Sequence, residues 1–461
     1  MGVSENDLFG GMIISAAFLS LLLLAEGWRY FWRPPTEYTR KLVHAGGGLI
    51  ALGLPLFVTS HWVALILSVS MGLLLVVSKR MGWLASVHAI ERQSRGAEYY
   101  PVVIYLLFVL AASEPWKYVA AVLNLAVADA SAAMIGKRFG RIKYRVAGQH
   151  KSLEGSFAFY VASFLMTIGP LFWWSPLRDT PDEWLHYLLA ANLIALLVTC
   201  FEAVSQDGQD NLWIPMGALL VLTKTFQTDV TDLWVQNASF VGILVVASVV
   251  ARFSRTFELA GVLIFCLSSY GCWAMGSFDW ALPIFVGFFV YVGVCSWLQT
   301  TWSLQIRAVT WSVIVPFIIL AIGNIAIQYQ NWETYRFLYG PFLAAATLAL
   351  VQAVVNVCVF SIPGSSLLFR VAQAGCGSIL VSGLLLGVLW GRGVVPDWWS
   401  ATTMLGVVVI MAAFSAWLNT AANPETVGHL WFARRALLNL TAAGWIAVAQ
   451  WQSLSATWVV A

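Results

Sequence analysis

FGGMIISAAFLSLLLLAEGW, residues 9–28, is a long apolar run that contains one charged side chain, Glu26. A helix needs about 20 mostly apolar residues to cross the hydrocarbon core of a bilayer. The N-terminal residues 1–10, MGVSENDLFG, carry acidic rather than basic side chains and lack a cleavage site of small residues. The pattern therefore predicts a retained membrane-spanning helix and not a cleaved secretory signal.

The composition of the whole chain agrees with that prediction. The 461 residues are 60% hydrophobic and 10% charged, with a mean hydropathy of +0.79. A soluble globular protein has about 25% charged residues, because water-facing surface has to be covered. The composition therefore excludes a soluble enzyme, a disordered chain and a nucleic-acid-binding protein. It predicts an all-α polytopic integral membrane protein.

Apolar runs of helix length recur along the chain and predict about 16 transmembrane helices in two halves. The run at 212–223 is short for a full span and is compatible with a partial or re-entrant segment. The predicted spans are 9–28, 42–58, 62–78, 99–113, 117–135, 155–174, 185–201, 212–223, 236–251, 258–275, 280–297, 308–328, 338–360, 373–391, 400–418 and 436–456.

Lysine and arginine are concentrated in alternate loops. With the N-terminus outside, the inner loops hold 20 of these residues and the outer loops hold 5. Cytoplasmic loops of membrane proteins carry an excess of Lys and Arg, so this bias sets the orientation. We expect a bacterial inner-membrane protein whose active site faces the cytoplasm.

Acidic residues are unevenly shared between the two halves. Of the 22 acidic residues, 17 lie before residue 233. Burial of ionisable side chains in a membrane costs free energy, and such side chains are usually functional. We therefore expect the first half of the chain to carry the functional site. A polar outer loop near 225–237 separates the halves. We predict a catalytic transmembrane domain at 1–232 and a second transmembrane helical domain at 233–461.

Four polar segments fall on the cytoplasmic side in this topology. The topology is derived from Lys and Arg counts alone. The location of all four segments on one side is therefore an independent sign of a functional site. The segments are EYTRKLVHAGGG (37–48), KRMGWLASVHAIERQSRGAEYYP (79–101), LNLAVADASAAMIGKRFGRIKYRVAGQHKSLEGS (123–156) and FEAVSQDGQDNLWIP (201–215).

The third segment carries a carboxylate inside an apolar run. Asp129 lies about two turns before the cytoplasmic end of its predicted helix. An unpaired carboxylate there costs several kcal/mol, so it needs a lysine, another cation or a metal ion. An ion pair that merely packs two helices together is the alternative to a functional role.

Glycine, basic and serine residues follow Asp129. Glycines allow a backbone to approach a phosphate, lysine supplies a point charge, and a helix N-terminus offers free N–H groups to anions. Plain retention of positive charge on the inner side also accounts for the arginines, but not for Glu154-Gly155-Ser156. The residues concerned are Gly136, Lys137, Gly140, Lys151, Ser152, Glu154, Gly155 and Ser156.

The fourth segment is acidic, which a positive inner loop does not favour. Glu202, Asp207 and Asp210-Asn211 lie on it. Oxygen ligands of this kind suit Mg²⁺, which binds one or two carboxylates together with substrate phosphates. Capping of the next helix by Asp210 or Asn211 is the alternative. Together the segments indicate Mg-nucleotide chemistry, although the chain has no Walker A, protein-kinase or nucleophile-elbow motif.

The run ADASAAMIGKRFGRIKY (128–144), followed by HKSLEGS (150–156), resembles the signature of the CTP-dependent polyprenol kinases, the phytol kinase and dolichol kinase family. Three further elements match in order: TRKLVHAGGG (39–48), RGAEYYPVVIY (95–105) and FEAVSQDGQDNLWIP (201–215). The resemblance covers about residues 35–220. A weaker kinship to phosphatidate cytidylyltransferases exists, but this chain has the Glu-Gly-Ser element instead of that family's ending.

The resemblance implies transfer of the CTP γ-phosphoryl group to the hydroxyl of an isoprenoid alcohol, such as phytol, farnesol, geranylgeraniol or a longer polyprenol. It implies that Asp129 and Asp210 hold or orient Mg²⁺, with support from Glu202. Membrane lipids are expected partners, nucleic acid is not, and the oligomeric state is left open.

The same resemblance implies roles for the remaining residues. Lys151, Ser152 and Ser156 would bind phosphates, and Gly155 would allow their close approach. Glu154 or Asp129 would orient the attacking hydroxyl, so Asp129, Lys151, Glu154 and Asp210 are the expected catalytic residues. The other expected nucleotide-site residues are Arg40, Lys41, His44, Gly136, Lys137, Gly140 and Asn211.

The second half resembles the phytyl-phosphate-kinase-like membrane family more faintly, at 254–289 and at 433–449. Its middle elements differ, since 342–360 has Gln352 and Asn356 but no carboxylate. If related, this half has lost its phosphoryl-transfer site and serves as a partner module. An unrelated hydrophobic bundle is the alternative.

Two other functions remain open from the sequence. A CTP-using lipid cytidylyltransferase would release pyrophosphate, whereas a kinase would release CDP. A lipid transporter would place its polar residues near the midplane on broken helices. Here the polar segments cluster at one membrane face, which favours an enzyme.

Overall fold

The computed structural model describes residues 4–88, 96–146, 149–174, 183–206, 208–254, 259–297, 306–328, 331–361, 398–418 and 429–459, with a few positions between 366 and 387. The chain forms two compact units. Unit 1 is Met1–Ala238 and unit 2 is Ser239–Ala461.

Unit 1 is built from helices and one short hairpin. Its elements are α1 (Glu5–Trp32), α2 (Thr36–Leu52), α3 (Leu54–Phe57), α4 (His61–Arg80), α5 (Ala85–His88), α6 (Gly96–Leu110), α7 (Pro115–Leu123), a π-helical turn (Asn124–Ala128), α8 (Asp129–Phe139), β1 (Lys143–Val146), β2 (Gln149–Ser152), α9 (Leu153–Trp174), α10 (Glu183–Val204), α11 (Asp210–Thr225) and the start of α12 (Val230–Ser254).

Unit 2 continues α12 and adds only helices within its described residues. These helices are α13 (Leu259–Met275), α14 (Phe278–Trp297), α15 (Ile306–Gln328), α16 (Trp332–Ser361), α17 (Trp398–Leu418) and α18 (His429–Val459). The predicted span at 373–391 lies mostly outside the described residues.

The structure is that of an all-α membrane protein. Among the described residues, 8 helices are long and apolar enough to cross a membrane, and four shorter apolar helices accompany them. The predicted total of about 16 spans is not confirmed by this finding. The short run at 212–223 is a helix, α11, of 16 residues.

The outer surface of unit 1 is suited to lipid and not to water. On α1, Leu23, Leu24 and Phe31 expose 74%, 69% and 74% of their surface. Inside the unit, large side chains such as Leu107 and Phe159 are fully buried. Apolar side chains on both sides of a helix are stable only where the surrounding solvent is also apolar.

The π-helical turn precedes Asp129 directly and interrupts the long helix from Pro115 to Phe139. Asn124 begins this turn and donates from Nδ2 to Ala120 O at 2.9 Å and to Thr167 Oγ1 at 3.0 Å, while its Oδ1 accepts from Ser163. Single π-helical turns inside α-helices often occur at functional sites. This turn sets the rotation of the helix that presents Asp129.

The β-hairpin is a feature that the apolar periodicity did not predict. Its strands pair antiparallel, with Tyr144 opposite Lys151 and Lys143 opposite Ser152. The hairpin leads straight into α9, and Ser152 caps that helix by accepting from Gly155 N at 3.1 Å. The register therefore determines where Lys151 lies relative to the neighbouring helices.

Candidate active site

Side-chain contacts bring the four polar segments together at one end of unit 1. Lys41 of the first segment contacts Asp129 of the third. Lys151 of the third contacts Glu202 of the fourth. Asn211 of the fourth donates from Nδ2 to the carbonyl of Gly96 in the second at 2.8 Å. Residues that are far apart in sequence thus form one polar layer on an apolar bundle.

The first cluster in this layer surrounds Asp129, which is buried. Lys41 Nζ lies 2.5 Å from Asp129 Oδ2, and His44 Nε2 lies 3.2 Å from the same oxygen. His44 Nε2 also lies 3.0 Å from the carbonyl oxygen of Leu125. Because both of these neighbours are hydrogen-bond acceptors, we assign the proton to Nε2. Two groups from α2 thereby hold one carboxylate of α8.

The carboxylate of Asp210 lies close to the same cluster. Asp210 begins α11, and its Oδ1 accepts from the backbone N–H of Asn211 at 3.1 Å. Both Asp129 and Asp210 lie within electrostatic range of Arg40 and His44. The predicted carboxylate pair therefore faces one basic group on α2.

Arg40 is only partly committed to this cluster. Its Nη2 forms an ion pair with Glu37 Oε1 at 2.5 Å. Its side chain also lines the cavity described below. An arginine held on one side by a partly exposed carboxylate keeps donors available for an anion.

The second cluster joins the hairpin to α10. Lys151 Nζ donates to Glu202 Oε1 at 2.8 Å and also to the Glu202 carbonyl oxygen. Tyr144 OH lies 2.7 Å from Ser156 Oγ, one turn into α9. Burial raises the pKa of the Tyr144 phenol, with a smaller contribution from Glu202, so the phenol stays protonated at neutral pH.

Tyr144 was missed as a site residue by the sequence analysis. Its position opposite Lys151 depends on the hairpin register, and short polar strands give no apolar alternation to reveal them. Tyr100 on α6 and His88 on α5 were also missed, because their contacts depend on how these helices pack. Tyr100 OH donates to the carbonyl oxygen of His44 at 3.2 Å, and His88 Nε2 lies 2.9 Å from Ser78 Oγ.

The glycines of the third segment lie at a close helix crossing. A Cβ on Gly155 would lie 3.0 Å from Ala132 O and 3.1 Å from Gly136 Cα. A Cβ on Gly140 would lie 2.7 Å from Ser152 Cβ. These glycines therefore bring α8, the hairpin and α9 together, and a role in phosphate approach stays a prediction.

Glu154, Ser152 and Lys137 also have structural contacts. The Glu154 Oε1 atom accepts from the backbone N–H groups of Arg141 and Ile142, at 2.9 Å and 3.1 Å. Ser152 caps α9, which satisfies the N–H of Gly155. Lys137 is exposed, with Nζ 5.5 Å from the centroid of the Tyr38 ring. Their proposed catalytic and phosphate-binding roles stay predictions.

A cavity of about 300 Å³ opens beside the Asp129 cluster. Its polar end is lined by Arg40, His44, Lys79, His88, Tyr100 and Asn211. The rest of its wall is mainly apolar and includes Phe18, Ile50, Leu54, Leu67, Met71 and Ile104. The lining of α4 runs from Ala64 to Lys79, which is about 22 Å along a helix. The cavity is thus long, with a charged end and a hydrocarbon-like interior.

The carboxylates of the polar layer are the residues that could ligate a metal ion. Among the described residues, no three His, Cys, Asp or Glu side chains lie close enough together to hold one, and Asp207 is outside those residues. The expected trio of Asp129, Asp210 and Glu202 is therefore not assembled, because Glu202 pairs with Lys151. Asp129 and Asp210 still fit Mg²⁺ that arrives with phosphates, since that ion needs only one or two carboxylates.

A bundle of apolar helices with charged side chains at one end of a long apolar cavity is the arrangement expected of a membrane enzyme that acts on a lipid. Comparison with known proteins narrows this class. The chain is 31% identical over 229 residues to a phytol kinase of Synechocystis sp.. The aligned region covers 48% of this chain and 96% of that protein. The chain belongs to the phytol kinase family, and it is a lipid kinase.

Two plant proteins are also similar. The chain is 32% identical over 235 residues to the probable chloroplastic phytol kinase 3 of Glycine max, covering 47% of this chain and 72% of that protein. It is 29% identical over 245 residues to the probable chloroplastic phytol kinase 1 of the same plant, covering 49% and 76%. No family model and no solved structure matches the chain.

Proposed function

We propose that unit 1 transfers the γ-phosphoryl group of CTP to the hydroxyl of an isoprenoid alcohol bound in the cavity. The single observation that carries this proposal is the position of the polar end, where His44 and Arg40 line the cavity beside Asp129. An alcohol with a long apolar tail would place its tail among the apolar helices and its hydroxyl at this end. The similarity to phytol kinases supports the same substrate class.

We assign Asp129 as the residue that accepts the proton of the attacking hydroxyl. In the proposed step, the alcohol oxygen bonds to the γ-phosphorus, the bond to the bridging oxygen breaks, and CDP leaves. The hydroxyl proton passes to Asp129, whose carboxylate is held by Lys41 and by the protonated Nε2 of His44. Phosphoryl transfer depends mainly on positioning and charge neutralisation, which these fixed contacts supply.

Lys151, Ser156 and Tyr144 would face the phosphates of the nucleotide. In the structure Lys151 is held by Glu202, so its Nζ is already positioned in the polar layer. The protonated Tyr144 phenol and the Ser156 hydroxyl add neutral donors beside it. An ammonium group and hydroxyls together suit a polyphosphate chain.

Mg²⁺ is the proposed cofactor, and Asp210 would hold it together with the nucleotide phosphates, while Asp129 serves the attacking hydroxyl. When bound, the ion neutralises charge on the transferred phosphates. Asp210 is suited to this role because it lies at the start of α11 and is only partly buried. Arg40 lies within range of both carboxylates and balances their charge.

We further propose that the protein lies in a bacterial inner membrane with the polar layer on the cytoplasmic side, where nucleotide is present. The excess of Lys and Arg in the inner loops supports this orientation. We assign the reaction to the predicted domain 1–232 and a supporting role to 233–461. All four family-like segments lie in the first of these.

The test is thin-layer chromatography of lipids after incubation of the purified protein with γ-³²P-CTP, Mg²⁺ and a panel of isoprenols. We expect a labelled lipid from the wild type and none from Asp129→Asn. Asp232→Asn is the matched control, because that carboxylate is exposed in the first turn of α12 and should leave labelling unchanged.

A second label separates the kinase from a cytidylyltransferase. A kinase releases CDP and labels the lipid only from γ-³²P-CTP. A cytidylyltransferase releases pyrophosphate and labels the lipid only from α-³²P-CTP. Labelling from the α-phosphate, or no labelling by folded wild-type protein, would refute the proposed reaction.

A further inference from the structure

Unit 2 contains an arginine that is buried between the helices α16 and α18. Arg435 of α18 is 9% exposed, and its Nε donates to Gln352 Oε1 of α16 at 3.3 Å. Trp431, one turn earlier on α18, covers the guanidinium at 4.4 Å from the ring centroid. These contacts hold the guanidinium in place but do not neutralise it.

Three hydrogen-bond donors at this place have no partner within the part of the chain that the structure describes. They are Arg435 Nη2, Gln352 Nε2 and Asn439 Nδ2. Gln352 is 1% exposed and Asn439 is 0% exposed. Asn439 lies one turn after Arg435 on the same face of α18, so donors from two helices gather around the guanidinium.

The described carboxylates of unit 2 are too far away to pair with Arg435. Glu333 precedes Gln352 by 19 residues on α16, about 28 Å along the helix axis. Asp279 lies near Tyr339 of α16, because the Tyr339 OH donates to the backbone carbonyl oxygen of Asp279 at 3.2 Å. Tyr339 precedes Gln352 by about 20 Å along α16, so Asp279 is distant from Arg435. Arg435 therefore has no counterion among the described residues, and Glu258, Asp397 and Glu425 lie outside them. A buried charge without a counterion is strongly unfavourable, so the unpaired donors favour an anion at this place.

We propose that Arg435, Gln352 and Asn439 bind the phosphate monoester headgroup of a lipid. A carboxylate would be satisfied by the planar guanidinium fork alone. A phosphate monoester has three terminal oxygens in different directions, which suits amide donors that come from two helices in addition to the fork. The apolar side chains of α16 and α18 beside this site, including Val351, Val355 and Leu438, belong to the buried core of unit 2, so the medium around the phosphate group is apolar. This proposal does not depend on the reaction assigned to unit 1.

The test uses the full-length protein in phosphatidylcholine nanodiscs, with native mass spectrometry to count retained lipid. One arm adds phosphatidate, a lipid phosphate monoester, and the other adds inorganic phosphate with melting temperature as the readout. We expect Arg435→Met to weaken phosphatidate binding at least about tenfold, since the charged donor is lost. Arg434→Met is the matched control, because it removes the same charge from the exposed face of the same helix.

A phosphate-induced rise in melting temperature that disappears in Arg435→Met also supports a phosphate site, whereas binding of phosphatidate alone shows that the tail is required. Equal retention of phosphatidate by wild type and Arg435→Met would overturn the proposal. Arg435→Lys serves as a second variant if Arg435→Met fails to fold, because it keeps the charge but lacks the fork. Retention of full phosphatidate binding by Arg435→Lys, with its Gln352 contact gone, would also count against the proposal.

Discussion

Replacement of Lys41 by methionine tests the central ion pair of the site. Lys41 and Asp129 have side chains that are 11% and 8% exposed, and their charged atoms lie 2.5 Å apart. Removal of one partner from a buried pair costs about 3–5 kcal/mol, because the other charge is left buried and unpaired. His44 remains 3.2 Å from the carboxylate, so we take the lower end, about 3 kcal/mol.

The assay is the apparent melting temperature of the purified protein, followed by tryptophan fluorescence. For a unit of this size, about 3 kcal/mol corresponds to a decrease of about 6–12 °C. The double variant Lys41→Met/Asp129→Asn removes the unpaired charge and should recover most of this loss, while it stays inactive. Arg29→Met is the control, because its partly exposed pair with Glu26 is worth less than about 1 kcal/mol.

Two results would refute this reasoning. An unchanged melting temperature in Lys41→Met would show that the pair is not buried in the membrane-embedded protein. A double variant no more stable than Lys41→Met would show that the cost comes from lost packing of the lysine stem and not from an unpaired carboxylate.

Three further predictions concern packing, the cavity and pH. Gly155→Ala should destabilise unit 1 by about 1–3 kcal/mol in thermal unfolding, because the new Cβ would lie 3.0 Å from a carbonyl oxygen of α8. Gly169→Ala is the control and should leave the stability unchanged, because no atom lies within 4 Å of its Cβ position. Ile104→Trp should fill the cavity and lower the kinase rate more for long prenols than for short ones; an equal decrease would contradict the assigned tail site. Burial lowers the pKa of His88, with a smaller contribution from Lys79, so the unfolded chain binds a proton more readily below about pH 6.5 and stability decreases as pH falls. His88→Gln should flatten the decrease in melting temperature between pH 7 and about pH 5, and a pH profile identical to that of the wild type would exclude this contribution.

The helical membrane class could be predicted because it depends on local composition. The predicted spans other than 373–391 fall largely on described helices, although 42–58 is divided at Gly53 into α2 and α3 and 99–113 extends beyond the end of α6. A long apolar run permits little besides helix in lipid. The hairpin at 143–152 was not predicted, because four-residue polar strands carry no apolar period. The π-helical turn before Asp129 was likewise not visible, since it depends on packing of Asn124 against α9.

The candidate site was predicted in part. Asp129 was expected to need a cation, and the structure supplies Lys41, which lies 88 residues away in sequence. The sequence did not indicate that Glu202 would pair with Lys151, which removes it from the expected carboxylate trio. Pairing between charged residues depends on which helix ends meet, and no local pattern contains that information.

The amino-acid sequence by itself determined a membrane-embedded helical protein, the half that carries most of its acidic groups, and the four polar segments of a kinase-like site. These follow from hydropathy, from charge in loops and from short motifs, all of which are local properties of the chain. Only the tertiary structure decided that α1, α2, α4 and α6 enclose a long apolar cavity whose charged end adjoins Asp129. A cavity is the space that several packed helices leave between them, so its size and its lining depend on distant residues meeting.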